Sequence, residues 1–130
     1  MKHLWTVILA AAAVSAVAGA KVDISKLPPP ADKKDVTFEK DIKPLFVKAC
    51  VDCHGEVRPK AKLRLDTLEG VEKGAYGEPI LTKGKSAEST LVHVIARLDE
   101  DTAMPPEGKG DPLTKEEIAL VRAWIDQGAK

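Results

Sequence analysis

The feature that most constrains this chain is a run of five residues, Cys50-Val51-Asp52-Cys53-His54. Cysteines three positions apart on one helical turn share a face, and the histidine that follows them lies beside that face. This spacing is typical of covalent haem attachment, in which both thiols bond to one porphyrin edge and the imidazole binds the iron. The motif therefore predicts one haem c per chain, attached through Cys50 and Cys53, with His54 as an axial ligand of the iron.

Two other uses of this cysteine pair fit the sequence less well. A structural zinc site normally takes four Cys or His ligands, and beyond the motif and the first 20 residues the chain offers only His93. A redox-active dithiol belongs to folds that alternate strands and helices, and this chain has no such alternation. Covalent haem is the interpretation that we favour.

The first 20 residues have the pattern of a cleavable export signal. Lys2 and His3 precede an apolar run from Leu4 to Val17, and Ala18-Gly19-Ala20 is a small-residue cleavage site. The alternative is an uncleaved membrane anchor, but two hydroxyl residues interrupt the run and it is shorter than the ~20 apolar residues of a spanning helix. We predict a periplasmic or otherwise exported protein without stable membrane insertion, which agrees with haem attachment after export.

Charge and composition exclude some classes of function. The whole chain carries 20 basic and 20 acidic residues, and loss of Lys2 with the signal leaves a formal charge of −1. This balance does not favour nucleic-acid binding. Aromatic residues make up only 4% of the chain, so a small domain has few side chains with which to build a core, and a large apolar cofactor would supply the missing surface.

Residues 21–35 are rich in proline and charge and have no apolar periodicity. They predict a stiff leader of polyproline type, the alternative being an ordered arm that packs on the domain of residues 36–130. A first helix is predicted by an apolar stripe that runs into Cys50. Because proline is tolerated only in the first turn of a helix, Pro44 indicates that regular helix begins near Lys43. The stripe consists of Phe38, Ile42, Leu45, Phe46 and Ala49.

The rest of the chain predicts further helices and no strands. Residues 55–84 form a long glycine-bearing loop with one short helix around residues 68–73. A further helix, capped by Ser86 or Ser89 and ending near residues 97–99, has Leu91, Ile95 and Leu98 on one face.

The last helix has the clearest boundary signals. Thr114 and Glu117 form a capping box, and Gly128 can end the helix. Trp124 lies beside its buried stripe and is predicted to pack in the core. The chain is therefore predicted to be all-α.

Met104 is the candidate for the second axial ligand. It is the only methionine after the predicted signal, and it lies in Ala103-Met104-Pro105-Pro106, where the prolines prevent helix formation. A thioether on a stiff extended segment suits iron ligation, although a lone methionine can also simply fill a core. His93 is the rival ligand, but at 100° per residue it points about 200° from Leu91 and is predicted to face solvent.

Taken together, these residues resemble the class I c-type cytochromes and, in detail, the planctomycete-type cytochrome c domain. The resemblance implies a small monohaem fold in which the first and last helices cross beside a covalently bound haem. Cys50 and Cys53 would be the thioether sites, His54 the proximal ligand and Met104 the distal ligand. The resemblance extends over Val36, Phe38, Asp41-Ile42, Pro44-Leu45, residues 50–55, residues 63–67, the glycine-bearing loop to Gly84, residues 104–106, Leu113-Thr114, Glu117-Ile118 and residues 124–129.

The function predicted from these features is electron transfer by a soluble carrier that exchanges electrons with redox partner proteins. Iron with both axial positions filled has no site for a substrate, so no catalytic residues are predicted and the protein is not expected to be an enzyme. Two alternatives stay open: a haem subunit or sensor module of a larger oxidoreductase complex, and a peroxidase-like enzyme in which Met104 is labile. Arg64 and Arg97 can pair with haem propionates, but nothing in the sequence places them there.

Overall fold

The computed structural model describes residues 21–130, so the predicted export signal lies outside the described residues. Residues 21–130 form four α-helices: α1 (Lys43–Ala49), α2 (Leu68–Lys73), α3 (Thr90–Ile95) and α4 (Lys115–Asp126). Over these 110 residues there is no β-strand, which confirms the predicted all-α fold. Within the same range, no helix combines the length and the apolar character that crossing a lipid bilayer would require.

The start of α1 follows from Pro44, as the sequence predicts. Proline has no amide hydrogen to donate to the carbonyl of Lys40, so the regular bonding pattern cannot continue through this position. A π-helical turn, Phe38–Ile42, precedes α1 instead, and the amide of Lys43 donates to the carbonyl of Phe38. The extra residue in this turn leaves Phe38, Ile42 and Phe46 all buried on one side of the segment.

Helix α4 packs against this first helical segment. The hydroxyl of Thr114 accepts from the amide of Glu117 at 3.2 Å and the Glu117 carboxylate accepts from the amide of Thr114 at 2.8 Å, so the predicted capping box is present. The ring centroids of Phe38 and Trp124 lie 5.9 Å apart, and Lys48 pairs with Glu117 at 2.8 Å. The two helical segments therefore run in opposite directions, and Trp124 packs in the core as predicted.

Helix α3 differs from its prediction in how it begins and ends. Ser89 precedes the helix, but its hydroxyl donates to the carbonyl of Lys85 and accepts from the amide of Thr82, so neither it nor Ser86 caps α3 with its side chain. The helix ends at Ile95, before residues 97–99, because the chain turns sharply there. Its buried residues are Leu91, Val92 and Ile95, whereas Leu98 lies beyond the helix and is half-buried.

His93 does not face solvent, contrary to the prediction. Its ring is half-buried, and Nε2 lies 2.7 Å from the carbonyl oxygen of Ala87. The short turn Ser86–Glu88 folds back against α3 and brings this carbonyl to the ring. Helical periodicity places the side chain opposite Leu91, but it does not reveal the segment that covers that side.

Residues 21–35 form an ordered arm that lies along α4. The structure therefore agrees with the alternative of an arm that packs on the domain, and not with a stiff leader that stands apart from it. The amide of Ala31 donates to the carbonyl of Ala119 at 2.9 Å. Arg122 donates to the carbonyl of Pro28, and the Gln127 side-chain amide donates to the carbonyl of Lys33 at 2.8 Å. Two of these three bonds use backbone carbonyls of the arm, which a proline-rich segment exposes without pairing them internally.

Candidate haem-binding site

All four predicted site residues, Cys50, Cys53, His54 and Met104, line one cavity of about 310 Å³. The cavity lies between the turn that follows α1, one side of α3 and the Met104 segment, and it is partly open to solvent. Its apolar wall is formed chiefly by Ala49, Ala61, Leu63, Leu65, Ala75, Ile80, Leu91, Val94, Ile95 and Pro105. The predicted ligands and attachment sites therefore share one apolar chamber.

The cysteine turn continues directly from α1. The amide of Cys50 donates to the carbonyl of Phe46 at 2.8 Å, and the amide of His54 donates to the carbonyl of Cys50 at 2.9 Å. Gly55 closes the turn, because a Cβ at this position would lie 2.6 Å from the carbonyl oxygen of Val51. Both thiols are free in this turn, and the buried core of α1 fixes where they project.

His54 is oriented by a backbone carbonyl. Its Nδ1 lies 3.1 Å from the carbonyl oxygen of Lys60, which can only accept, so Nδ1 is the donor and Nε2 is the nitrogen left to bind a metal. The amide of Lys60 donates in turn to the carbonyl of Cys53 at 2.9 Å, and the amide of Leu65 donates to the carbonyl of His54 at 2.8 Å. A hydrogen bond of this kind is the usual support of a metal-binding imidazole.

Burial raises the pKa of the Cys50 thiol to about 11. The apolar surroundings disfavour the thiolate, so the thiol is protonated near neutral pH. Without a bound partner, the Cys50 thiol is therefore a weak nucleophile. This behaviour is typical of a thiol in an apolar wall and not of a reactive dithiol.

Met104 is held beside α3 from both sides. Its amide donates to the carbonyl of Val94 at 2.9 Å, and the guanidinium of Arg97 donates to the carbonyl of Pro105 at 2.7 Å. Ala103 and Pro105 are buried, and Met104 itself is half-buried at the cavity. The segment is therefore non-helical, as its prolines predict, and fixed to the end of a helix, but it bends at Met104 and Pro105 and is not extended as expected.

The two arginines considered for haem propionates are occupied elsewhere, and neither lines the cavity. Arg64 makes two hydrogen bonds to the Asp66 carboxylate, at 2.9 and 2.7 Å. Arg97 is directed at the Pro105 carbonyl. His93 does not line the cavity either, so among residues 21–130 only His54 contributes an imidazole to it.

Sequence reasoning did not identify the loop residues of the cavity wall. Leu63, Leu65 and Ile80 are buried, yet they lie in stretches without helical periodicity. The available signal was the pair Leu63 and Leu65 within an otherwise polar loop. Isolated apolar residues in a loop indicate burial against something, although they do not indicate what.

The residues of this cavity fit a c-type haem. Covalent attachment needs two thiols one helical turn apart, and iron ligation needs an imidazole and a second soft or nitrogen donor. The cavity holds both thiols, an imidazole whose Nδ1 is engaged by the Lys60 carbonyl and one thioether, within walls of apolar side chains. Its volume lies at the lower end of the ~300–1,000 Å³ of ordinary ligand sites, so a large planar ligand would extend through the open side.

Comparison with known proteins supports this assignment. The family model of planctomycete cytochrome C matches residues 50–108, a span that begins at the first cysteine and extends beyond the Met104 segment. No curated protein and no solved structure matches the chain. Cytochrome c domains are generally haem-based electron carriers rather than enzymes, and those of this kind are usually exported. The resemblance predicted from the sequence is thus confirmed by the match of residues 50–108 to the planctomycete cytochrome C family.

Proposed function

We propose that this protein is an exported monohaem c-type cytochrome that carries single electrons between redox partner proteins. In this proposal, residues 1–20 are removed on export, Cys50 and Cys53 hold one haem covalently, and His54 and Met104 bind the two axial positions of its iron. The observation that carries the proposal is the shared apolar cavity of these four side chains, with the His54 Nδ1 already engaged by the Lys60 carbonyl.

Each residue has a distinct task. When bound, the haem supplies reversible one-electron chemistry at its iron. The two cysteines hold the cofactor at a fixed position after α1, and His54 presents Nε2 to the cavity. Met104 supplies a thioether that leaves no open position for a substrate, which favours electron transfer over catalysis on a bound molecule.

The apolar wall of the cavity tunes this chemistry. Leu63, Leu65, Leu91 and Ile95 are all buried and line the cavity, so they would shield the cofactor from water once it fills that space. Low polarity disfavours the extra positive charge of the oxidised iron, and thioether ligation acts in the same direction. A relatively high reduction potential for a haem protein is expected.

The first test is an optical spectrum of the purified, matured protein. Oxidised protein should show the sulfur-to-iron charge-transfer band, and Met104→Ala should lose that band while the haem stays attached through the cysteines. Glu107→Ala is the matched control, because Glu107 is exposed, lies three residues further along and does not line the cavity. It should keep the band.

Two results would contradict the proposal. Absence of the band from the wild-type protein would mean that Met104 is not the sixth ligand. Rapid binding of carbon monoxide by the reduced wild-type protein would mean that an axial position is open, and a ligand-processing haem enzyme would then be the better account.

A further inference from the structure

The end of α3 contains an arginine where a glycine is the usual residue. The amide of Leu98 donates to the carbonyl of His93 at 3.1 Å, and the amide of Arg97 donates to the carbonyl of Val94 at 3.2 Å. These two bonds form a Schellman motif, in which the residue after the cap adopts a left-handed conformation. Arg97 has φ +55°, a region that glycine occupies readily and that costs other residues conformational energy.

The side chain of Arg97 makes a contact that a glycine could not make. Its Nη1 donates to the carbonyl of Pro105 at 2.7 Å, and the side chain is partly buried. Pro105 is itself buried, and neither Pro105 nor Pro106 has an amide hydrogen, so the segment has few donors of its own. A charged donor on a neutral carbonyl is among the stronger hydrogen bonds in proteins.

This bond and a second one bracket Met104. The amide of Met104 donates to the carbonyl of Val94 at 2.9 Å, and Val94 also accepts from Arg97 in the Schellman motif. The end of α3 therefore holds the backbone before the Met104 side chain through Val94 and the backbone after it through Arg97. Two fixed points on one rigid element determine the direction in which the thioether leaves the chain.

We propose that Arg97 is a positioning residue for Met104: it fastens the Met104-Pro105 segment to the end of α3 and so strengthens the thioether as an iron ligand. The proposal rests on the assignment of Met104 as the sixth ligand. It also gives Arg97 a task other than pairing with a haem propionate, since its guanidinium points at the Pro105 carbonyl and does not line the cavity.

The test uses the haem-containing protein and the variant Arg97→Gly. Glycine suits the left-handed backbone, so the turn is retained while the guanidinium is lost. Imidazole competes with a methionine ligand, and the charge-transfer band reports the fraction of Met104 still bound. The band falls to half its intensity at a certain imidazole concentration. Loss of one charge-assisted hydrogen bond should lower that concentration about tenfold. Arg97→Lys keeps a cationic donor and should restore part of this resistance.

Arg58→Gly is the matched control. Arg58 is also an arginine in the left-handed region, with φ +48°, but it is exposed and donates no hydrogen bond to any residue in the range 21–130. The imidazole concentration that halves the charge-transfer band should be the same in this variant as in the wild type. The positioning role is wrong if this concentration in Arg97→Gly also equals that of the wild type, or if it is lowered equally in both glycine variants. Absence of the band from the wild type would instead be a failure of Met104 ligation itself, so the two failures are distinguishable.

Discussion

The molecule has two halves, and the central side chains of one are buried more completely than the cavity-lining side chains of the other. The helical half comprises the π-helical turn with α1 and the antiparallel α4, and its central side chains are only 0–1% exposed: Phe38, Ile42, Phe46, Val121, Trp124 and Ile125. The cavity half comprises the cysteine turn, the loops after it, α3 and the Met104 segment. Its wall residues are 2–9% exposed: Leu63, Leu65, Ile80, Leu91 and Ile95.

This difference shows where the protein can support itself. Phe38 lies 6.2 Å from Phe46 and 5.9 Å from Trp124 between ring centroids, so the helical half contains every buried aromatic side chain of residues 21–130. Tyr76, on the loop that passes the cavity, is 71% exposed. The helical half completes its core with its own side chains, whereas the cavity half leaves apolar walls that need a bound cofactor to be fully removed from water.

The largest expected effect is loss of the cofactor. The double variant Cys50→Ser, Cys53→Ser should carry no covalent haem, as mass spectrometry of the denatured protein would show. Hydrogen exchange should then become faster through the loops of the cavity half and through α3, because their apolar walls lose a packing partner. Amides of α4 should keep most of their protection. Equal acceleration in α4 would mean that the two halves do not differ in the way described.

Trp124→Ala should have the largest effect on the helical half. The side chain is fully buried, contacts Phe38 and donates from Nε1 to the carbonyl of Lys130 at 3.0 Å. Removing it should lower the free energy of unfolding by about 3–5 kcal/mol, measured by urea denaturation. Since this core does not depend on the cavity, the loss should be similar with and without haem.

Leu91→Ala should sharpen the comparison, because Leu91 belongs to the cavity wall. The side chain is 4% exposed and lines the cavity. The variant should lower the free energy of unfolding of the haem-containing protein by about 2–3 kcal/mol. Without haem the loss should be smaller, since part of the contact is then missing. An equal loss in both forms would show that Leu91 packs within the protein alone.

The parts of this fold that depend on near neighbours in sequence could be predicted. The beginning of α1 follows from Pro44, the limits of α2 agree with the predicted residues 68–73, and the start of α4 follows from Thr114 and Glu117. Each of these boundaries depends on groups a few residues apart. The arm could not be placed in this way, because Arg122 and the carbonyl of Pro28 are 94 residues apart.

The end of α3 shows why the rest of the site escaped prediction. The apolar pattern continues to Leu98, yet the helix ends at Ile95, where the Val94 carbonyl accepts from the amides of both Met104 and Arg97. The turn at Arg97 and the bond to the Met104 segment, ten residues beyond Val94, therefore override the periodicity. Loop residues such as Leu63 and Ile80 have no period at all, so only the folded chain reveals that they face the same cavity as the predicted ligands.

A smaller effect is expected at the start of α4. Thr114→Ala removes the hydroxyl that accepts from the amide of Glu117 and should cost about 1 kcal/mol of unfolding free energy by urea denaturation. Thr37→Ala is the matched control, because Thr37 also precedes a helical segment but makes no capping hydrogen bond with its side chain. It should stay within about 0.5 kcal/mol of the wild type. If both variants lose the same amount, the cap is not the cause.

The smallest effect is a dependence on acid that arises in the helical half. Hydrogen bonds from Lys33 and from the amide of Thr37 hold the pKa of Asp41 below its ordinary 3.8, and Lys48 likewise lowers the pKa of Glu117. A carboxyl whose pKa is lower in the folded than in the unfolded protein stabilises the fold at any pH above its pKa in the unfolded protein. That contribution is lost as the pH falls through the pKa of the carboxyl in the folded protein.

The urea midpoint should therefore decrease below about pH 4. Asp41→Asn should reduce this decrease, whereas Asp32→Asn should leave it unchanged, because Asp32 is an exposed carboxylate next to Lys33 in the arm and has no ion pair among residues 21–130. Equal pH dependence in both variants would place the acid sensitivity elsewhere in the protein.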